Sequence, residues 1–124
     1  YGLERISMFI QQKKNVYDLL WNDDGVKYGE VFHKSEKEFS AYNFEYANIE
    51  NLSKMFDMLE LEAKALIKQK LSLPAYDQCL KASHVFNILD ARGAISVAQR
   101  SGYITRIRDI TKGVAETWLN NQKE

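Results

Sequence analysis

Residues 48–68 read NIENLSKMFDMLELEAKALIK. Ile49, Leu52, Met55, Phe56, Leu59, Ala63, Leu66 and Ile67 recur at three- and four-residue spacing. That period places them on one face of a helix of about twenty residues. Asn48, just before it, has a side-chain oxygen that can accept from the free amides of the first turn. Leu71-Ser72-Leu73-Pro74 interrupts the pattern, and Pro74 suits the opening turn of a second helix, because its missing N–H would lack a partner there anyway. This second helix carries Tyr76, Cys79, Leu80, Ser83 and Phe86, and Asp90-Ala91-Arg92-Gly93 ends or kinks it. A last helix runs from about Ser96 to Asn120, with Ile104, Ile107, Ile110, Val114 and Trp118 on its buried side. These three segments predict a mainly α protein built on a helical bundle.

Upstream the pattern changes. Leu3, Ile6, Phe9 and Ile10 mark a first helix, Leu3–Gln12. Val16–Trp21 reads as a strand, Asn22-Asp23-Asp24-Gly25 as a turn, and Val26, Tyr28 and Phe32 as a return strand. A hairpin bulged at Gly29 is expected. Ser35 with Glu38 three residues on fits a capping box opening the helical part. The expected architecture is a helical bundle preceded by a short hairpin and one helix. Residue 1 is Tyr rather than Met, and a helical pattern follows directly. Such a start is expected of a fragment of a longer protein.

The chain has 124 residues, 45% hydrophobic and 27% charged, which fits one globular domain and excludes a disordered or fibrous chain. Lys plus Arg and Asp plus Glu are 17 each, so no chain-wide basic field attracts nucleic acid. Any such contact is a local patch. The single cysteine, Cys79, excludes an internal disulfide. No apolar run reaches the length of a membrane span, and no signal peptide is present, so a cytoplasmic protein is expected.

Charge is unevenly distributed. Glu30 to Glu62 holds eight acids and three bases, whereas Arg92 to Lys112 holds five bases and one acid. Four of the five arginines, Arg92, Arg100, Arg106 and Arg108, lie in the second stretch. At about 100° per residue, Arg108 and Lys112 share a flank with Arg100, while Arg106 points nearly opposite. Two readings stand: arginines that contact phosphate, or arginines that pair with the acidic stretch. His33 and His84 are too far apart in sequence to suggest a metal pair, and His84 is expected near the core in a hydrogen bond. Cys79 lies on an apolar face, as a buried inert thiol does. Neither a nucleophile elbow nor a phosphate loop is present, and Glu45 and Glu60 have no evident partner. Glu4 and Arg5 follow Gly2 in a first helical turn, where a guanidinium can lie over an adenine or bind a terminal phosphate. The bland alternative is an ordinary amphipathic helix start.

Taken in order, several segments resemble the alpha subunit of the bacterial two-subunit glycyl-tRNA synthetases. Tyr1-Gly2-Leu3-Glu4-Arg5-Ile6 is similar to that family's form of the third class II signature motif. Tyr42-Asn43-Phe44-Glu45, Leu73-Pro74-Ala75-Tyr76, Leu89-Asp90-Ala91-Arg92, Ala94-Ile95-Ser96-Val97 and Arg106-Ile107-Arg108 continue the likeness over essentially the whole chain. The resemblance implies an enzyme that activates glycine with ATP and Mg2+ and charges tRNA(Gly). It assigns 1–33 to the end of a class II catalytic domain, with the motif and the hairpin, and 34–124 to a C-terminal helical domain. It places Arg5 on ATP, with Glu4 ordering that site, and implies no catalytic residue and no metal ligand in this chain. The chain alone is expected to be inactive and to bind no cofactor tightly.

The helical part is also similar to the tRNA-binding helical domain of alanyl-tRNA synthetases. Asp90, Arg92, Arg100, Gly102, Tyr103, Arg106 and Arg108 fall in similar order, although Ser101 separates Arg100 from Gly102. The implied contacts with the tRNA(Gly) acceptor stem are Arg92, Arg100, Tyr103, Arg106, Arg108 and Lys112, to phosphate rather than to base edges, since phosphate binding tolerates looser geometry. The alternative is a protein-interaction module that docks the beta subunit or a second alpha subunit, as in an α2β2 assembly.

Overall fold

The structure, a computed structural model, describes residues 2–123. Tyr1, which opens the hexapeptide motif, lies outside the described residues. Five α-helices follow one another: α1 Leu3–Ile10, α2 Tyr28–Ala41, α3 Ile49–Lys68, α4 Ser72–Ala91 and α5 Val97–Asn121. A 3-10 turn spans Val16–Asp18 and a π-helical turn spans Tyr42–Tyr46. Two compact units result, Tyr1–Glu45 and Tyr46–Glu124. The expected boundary at 33/34 falls inside the unbroken helix α2.

In the first unit the hairpin reduces to one antiparallel bridge, Leu20 to Lys27. Its two hydrogen bonds run from Trp21 N–H to Val26 C=O and from Tyr28 N–H to Leu19 C=O, both 2.7 Å. The turn residues act as expected: Asn22 accepts from Val26 N–H, and Gly25 takes the positive φ of 86°. The strands fail on either side for local reasons. Asn15 accepts from Tyr17 N–H at 2.9 Å and winds Val16–Asp18 into a 3-10 turn instead. On the return side, the Glu30 carboxylate accepts from Lys27 N–H at 3.1 Å, and this closes the first turn of α2. The helix therefore starts at Tyr28, and Ser35 lies in its interior rather than at a cap.

Tyr28 and Phe32 sit one turn apart on α2, with ring centroids 4.8 Å apart, and Trp21 packs edge-on to Phe32. Gly29 makes no bulge. A Cβ there would stand 3.0 Å from Tyr17 Cβ, so the glycine permits α2 to approach the 3-10 turn. The amide of Gln11, just past α1, accepts from Leu20 N–H at 2.8 Å and donates to Leu20 C=O at 3.3 Å.

The second unit is a three-helix bundle. Asn48 accepts from Asn51 N–H at the start of α3. Gly93 ends α4 with a φ of 62°, and the Ala94 N–H returns to Leu89 C=O. Ser96 and Gln99 form a reciprocal cap on α5. The core is Leu52, Phe56 and Ala63 from α3, Ile110 and Val114 from α5, and seven residues of α4 from Ala75 to Leu89. Ala63, Ala75 and Ala82 are wholly buried, and their small side chains bring the helix axes close.

Met55, Tyr76, Leu80 and Trp118, all expected to be buried, stay roughly half exposed. Three helices leave the outer flanks of their apolar stripes without cover. Met55, Met58, Leu59, Leu80 and Val85 consequently line an open apolar groove between α3 and α4. His84 stands at the groove's rim, exposed, rather than hydrogen-bonded in the core.

Leu89, 1% exposed among residues of all three helices, sets the expected scale of core losses. Leu89→Ala is expected to lower unfolding free energy by about 2–5 kcal/mol. Val97→Ala, at 88% exposure, should stay within about 0.5 kcal/mol. Urea unfolding of both variants checks the pair, and near-equal losses would contradict the packing.

Candidate functional site

The basic residues of α5 and the end of α4 divide by what they touch. Arg106 turns inward. Its Nε donates to Glu60 Oε2 at 2.8 Å, and its Nη2 donates to Asp57 Oδ1 at 2.6 Å and to Glu60 Oε2. The guanidinium lies 4.6 Å from the centroid of the Phe56 ring and 5.4 Å from that of Tyr103. Lys64 Nζ donates to the other oxygen of Glu60 at 2.9 Å. Glu60 is 8% exposed yet fully paired. The hydrogen bond from Arg106 holds its carboxyl below the usual range, with Lys64 assisting and burial opposing. The same pairing with Glu60 pushes the Arg106 guanidinium up.

Tyr103 is half buried beside Arg106. Its hydroxyl pairs with Ser53 Oγ at 3.1 Å, and its ring meets Phe56 edge-on at 4.7 Å. Arg92 caps α4 and donates from Nη1 to Ala47 C=O at 2.6 Å. Arg100 Nε lies 3.2 Å from both oxygens of Asp90, with its side chain half exposed. Arg108 is exposed and makes no hydrogen bond or ion pair among the described residues. Lys112, also exposed, lies 3.8 Å from Glu116.

The helix thus presents Arg108 and Lys112 to solvent and Arg106 to α3, as the spacing predicts. Of the two arginines, Arg106 pairs with the acidic stretch, whereas Arg108 makes no ion pair among the described residues. Glu60, with no evident partner in the sequence, has two. One signal could have exposed it: Glu60 lies four residues after Phe56 and three before Ala63, on the apolar stripe of α3. A carboxylate in that position requires a buried partner.

In the first unit, Glu4 and Arg5 face different ways. Glu4 lines a cleft of about 330 Å³ with Leu19, Trp21, Tyr28 and Phe32. The Tyr28 hydroxyl is pushed up by desolvation and then by the Glu4 charge. Arg5 is exposed and unpaired among the described residues. Gly2, at φ 77°, lets the chain enter α1 in a conformation that other residues rarely adopt. Tyr17 donates to Glu36 at 2.6 Å, which raises its own pKa, and packs edge-on to His33. Cys79 is buried, and burial pushes its thiol up, away from the reactive thiolate. Among the described residues no three His, Cys, Asp or Glu side chains gather to hold a metal.

Compared with known protein families, residues 1–123 match the family model described as Glycyl-tRNA synthetase alpha subunit.

The Glu60 pairing has a pH signature. A carboxyl held low in the folded state stabilises the fold fully above its unfolded pKa, and that contribution disappears as pH falls through the folded value. Glu60→Gln is expected to cost about 1–3 kcal/mol at pH 7. Its stability should then fall less than that of the parent on acidification below the carboxylate range, so that the two curves converge. Urea unfolding from pH 7 to acid checks this, and parallel curves would exclude Glu60 as the titrating group.

Proposed function

The chain belongs to the glycyl-tRNA synthetase alpha subunit family, and from that premise we propose that it completes an ATP site with Arg5 and docks the tRNA(Gly) acceptor stem with the outward flank of α5. The family is one of aminoacyl-tRNA synthetase subunits, so the enzyme it serves is a ligase of protein synthesis. The carrying observation is that the Arg108 guanidinium has no partner among the described residues, one helical turn from Lys112 and on the flank that Arg100 shares. Positive groups with no internal partner can neutralise backbone phosphates without breaking anything in the fold. Arg100 can share its exposed guanidinium between Asp90 and a phosphate. In this reading Arg92, Tyr103 and Arg106 support the helix that bears the contacts.

Arg5 supports the ATP reading in the same way. Its guanidinium, without a partner among the described residues, stands in the first turn of α1, where it can lie over an adenine or meet a γ-phosphate. Glu4, on the adjacent flank, orders the cleft beside it. Neither catalytic step is assigned to this chain by itself, and its place is the cytoplasm. None of its described helices is long and apolar enough to cross a membrane.

A second reading has its own observation. The apolar groove of α3 and α4, and the exposed Leu3, Phe9 and Ile10 of α1, suit contact with a beta subunit or a second alpha subunit. Heat capacity separates it from RNA docking, since apolar burial lowers the heat capacity strongly.

Two experiments test the first reading. Arg5→Ala in the assembled enzyme should raise the KM for ATP in pyrophosphate exchange at unchanged thermal stability, and normal kinetics would remove Arg5 from the site. Replacing Arg108 and Lys112 together by Ala should reduce tRNA charging far more than glycyl-adenylate formation. It should also flatten the plot of log affinity against log salt by roughly 1–2 units. Equal loss in both steps would refute the docking assignment.

A further inference from the structure

We infer that Arg106 serves RNA docking as a positioning residue and not as a contact: clamped to α3, it fixes the rotation of α5 that turns Arg108 and Lys112 outward. The inference rests on the RNA-facing reading of α5. The resemblance to a tRNA-binding helical domain places Arg106 among the contacts, and three observations oppose that.

First, the guanidinium is already in use. It makes three hydrogen bonds to Asp57 and Glu60 and stacks against Phe56 and Tyr103. Moving it to a phosphate would leave Glu60, 8% exposed, with Lys64 alone. Stripping a buried carboxylate of its main partner carries a cost that a phosphate contact would have to offset.

Second, the ground around Arg106 is electrically neutral. Two carboxylates, Asp57 and Glu60, balance two cations, Arg106 and Lys64. A polyanion arriving there meets exposed Asp57 as well as the guanidinium, and these four paired charges sum to zero.

Third, the clamp controls azimuth. Tyr103 and Arg106, three residues apart on one face of α5, both bind α3, the former through Ser53. Arg108 follows Arg106 by two residues, about 200° further round the helix. Any rotation of α5 that loosens Arg106 swings Arg108 and Lys112 by the same angle.

The test measures tRNA(Gly) affinity of the assembled enzyme across a KCl series, with thermal unfolding to confirm that each variant folds. Arg108→Ala should reduce the salt slope by about one unit, as loss of a phosphate contact does. Glu60→Gln should weaken binding roughly 2- to 30-fold at unchanged slope. Its sign discriminates, because removing a negative charge near a polyanion, or freeing Arg106 to reach it, would tighten binding. Asp57→Asn, at a more exposed position, should act in the same direction with a smaller effect and covers the case in which Glu60→Gln does not fold. Arg106→Lys keeps the charge and loses the fork, so it should weaken binding at unchanged slope. Tighter binding in Glu60→Gln or Asp57→Asn, or wild-type affinity in Arg106→Lys, would overturn the positioning role and make Arg106 a contact. If Arg108→Ala and Lys112→Ala leave affinity and slope intact, the RNA-facing reading of α5 fails, and the positioning role fails with it.

Discussion

The bonds between Arg106 of α5 and the carboxylates of Glu60 and Asp57 on α3 are the constraint around which the helical unit is arranged. A helix packed only by aliphatic residues can rotate by a fraction of a turn and still bury similar area. A forked guanidinium between two carboxylates has one good geometry. Phe56 and Tyr103 cover its faces, and Ser53 holds the Tyr103 hydroxyl, so ion pair, aromatic contact and hydroxyl bond all agree on the same rotation. The outward flank of α5 follows from what its inward flank requires. Glu60 would be a serious defect in the apolar stripe of α3 without this arrangement.

The parts of the fold legible in the sequence are those fixed by local signals. Asn48, Pro74, Gly93 and Ser96 act within one turn of their own positions, and the ends of α3, α4 and α5 stand close to where those residues place them. The hairpin is not legible in the sequence because its residues satisfy two patterns. Val16, Tyr17, Leu19, Leu20 and Trp21 have strand-forming side chains, but Asn15 offers the backbone a competing bond. Tyr28 and Phe32 fit a helix at four-residue spacing as well as a strand, and the Glu30 cap decides for the helix. Trp118 and Leu80 have the right period for burial, but a bundle of three helices has no neighbour to bury them.

The candidate site was legible in its direction and not in its partners. Helical spacing alone separates Arg106 from Arg108. Glu60 and Asp57 lie 46 and 49 residues from Arg106, and no pattern along the chain connects them. For Arg5, residue type and position in the first turn are legible along the chain, whereas the lack of a partner among the described residues is visible only in the structure. His84 shows the opposite failure: a helical histidine among apolar residues reads as a core group, yet its own step of the helix faces outward.

The Gln11 side chain has a consequence for how the molecule behaves among its own copies. Its amide occupies both backbone groups of Leu20 on the side away from the bridge to Lys27. It stands where a third strand would otherwise hydrogen-bond. The neighbouring residues 16–21 are rich in β-forming side chains, the composition that recruits strands from other chains when an edge is open. A primary amide carries the same donor and acceptor pair as a peptide group and bears no charge. The edge at Leu20 is therefore covered by an uncharged side chain, so its cover does not depend on the protonation of any group.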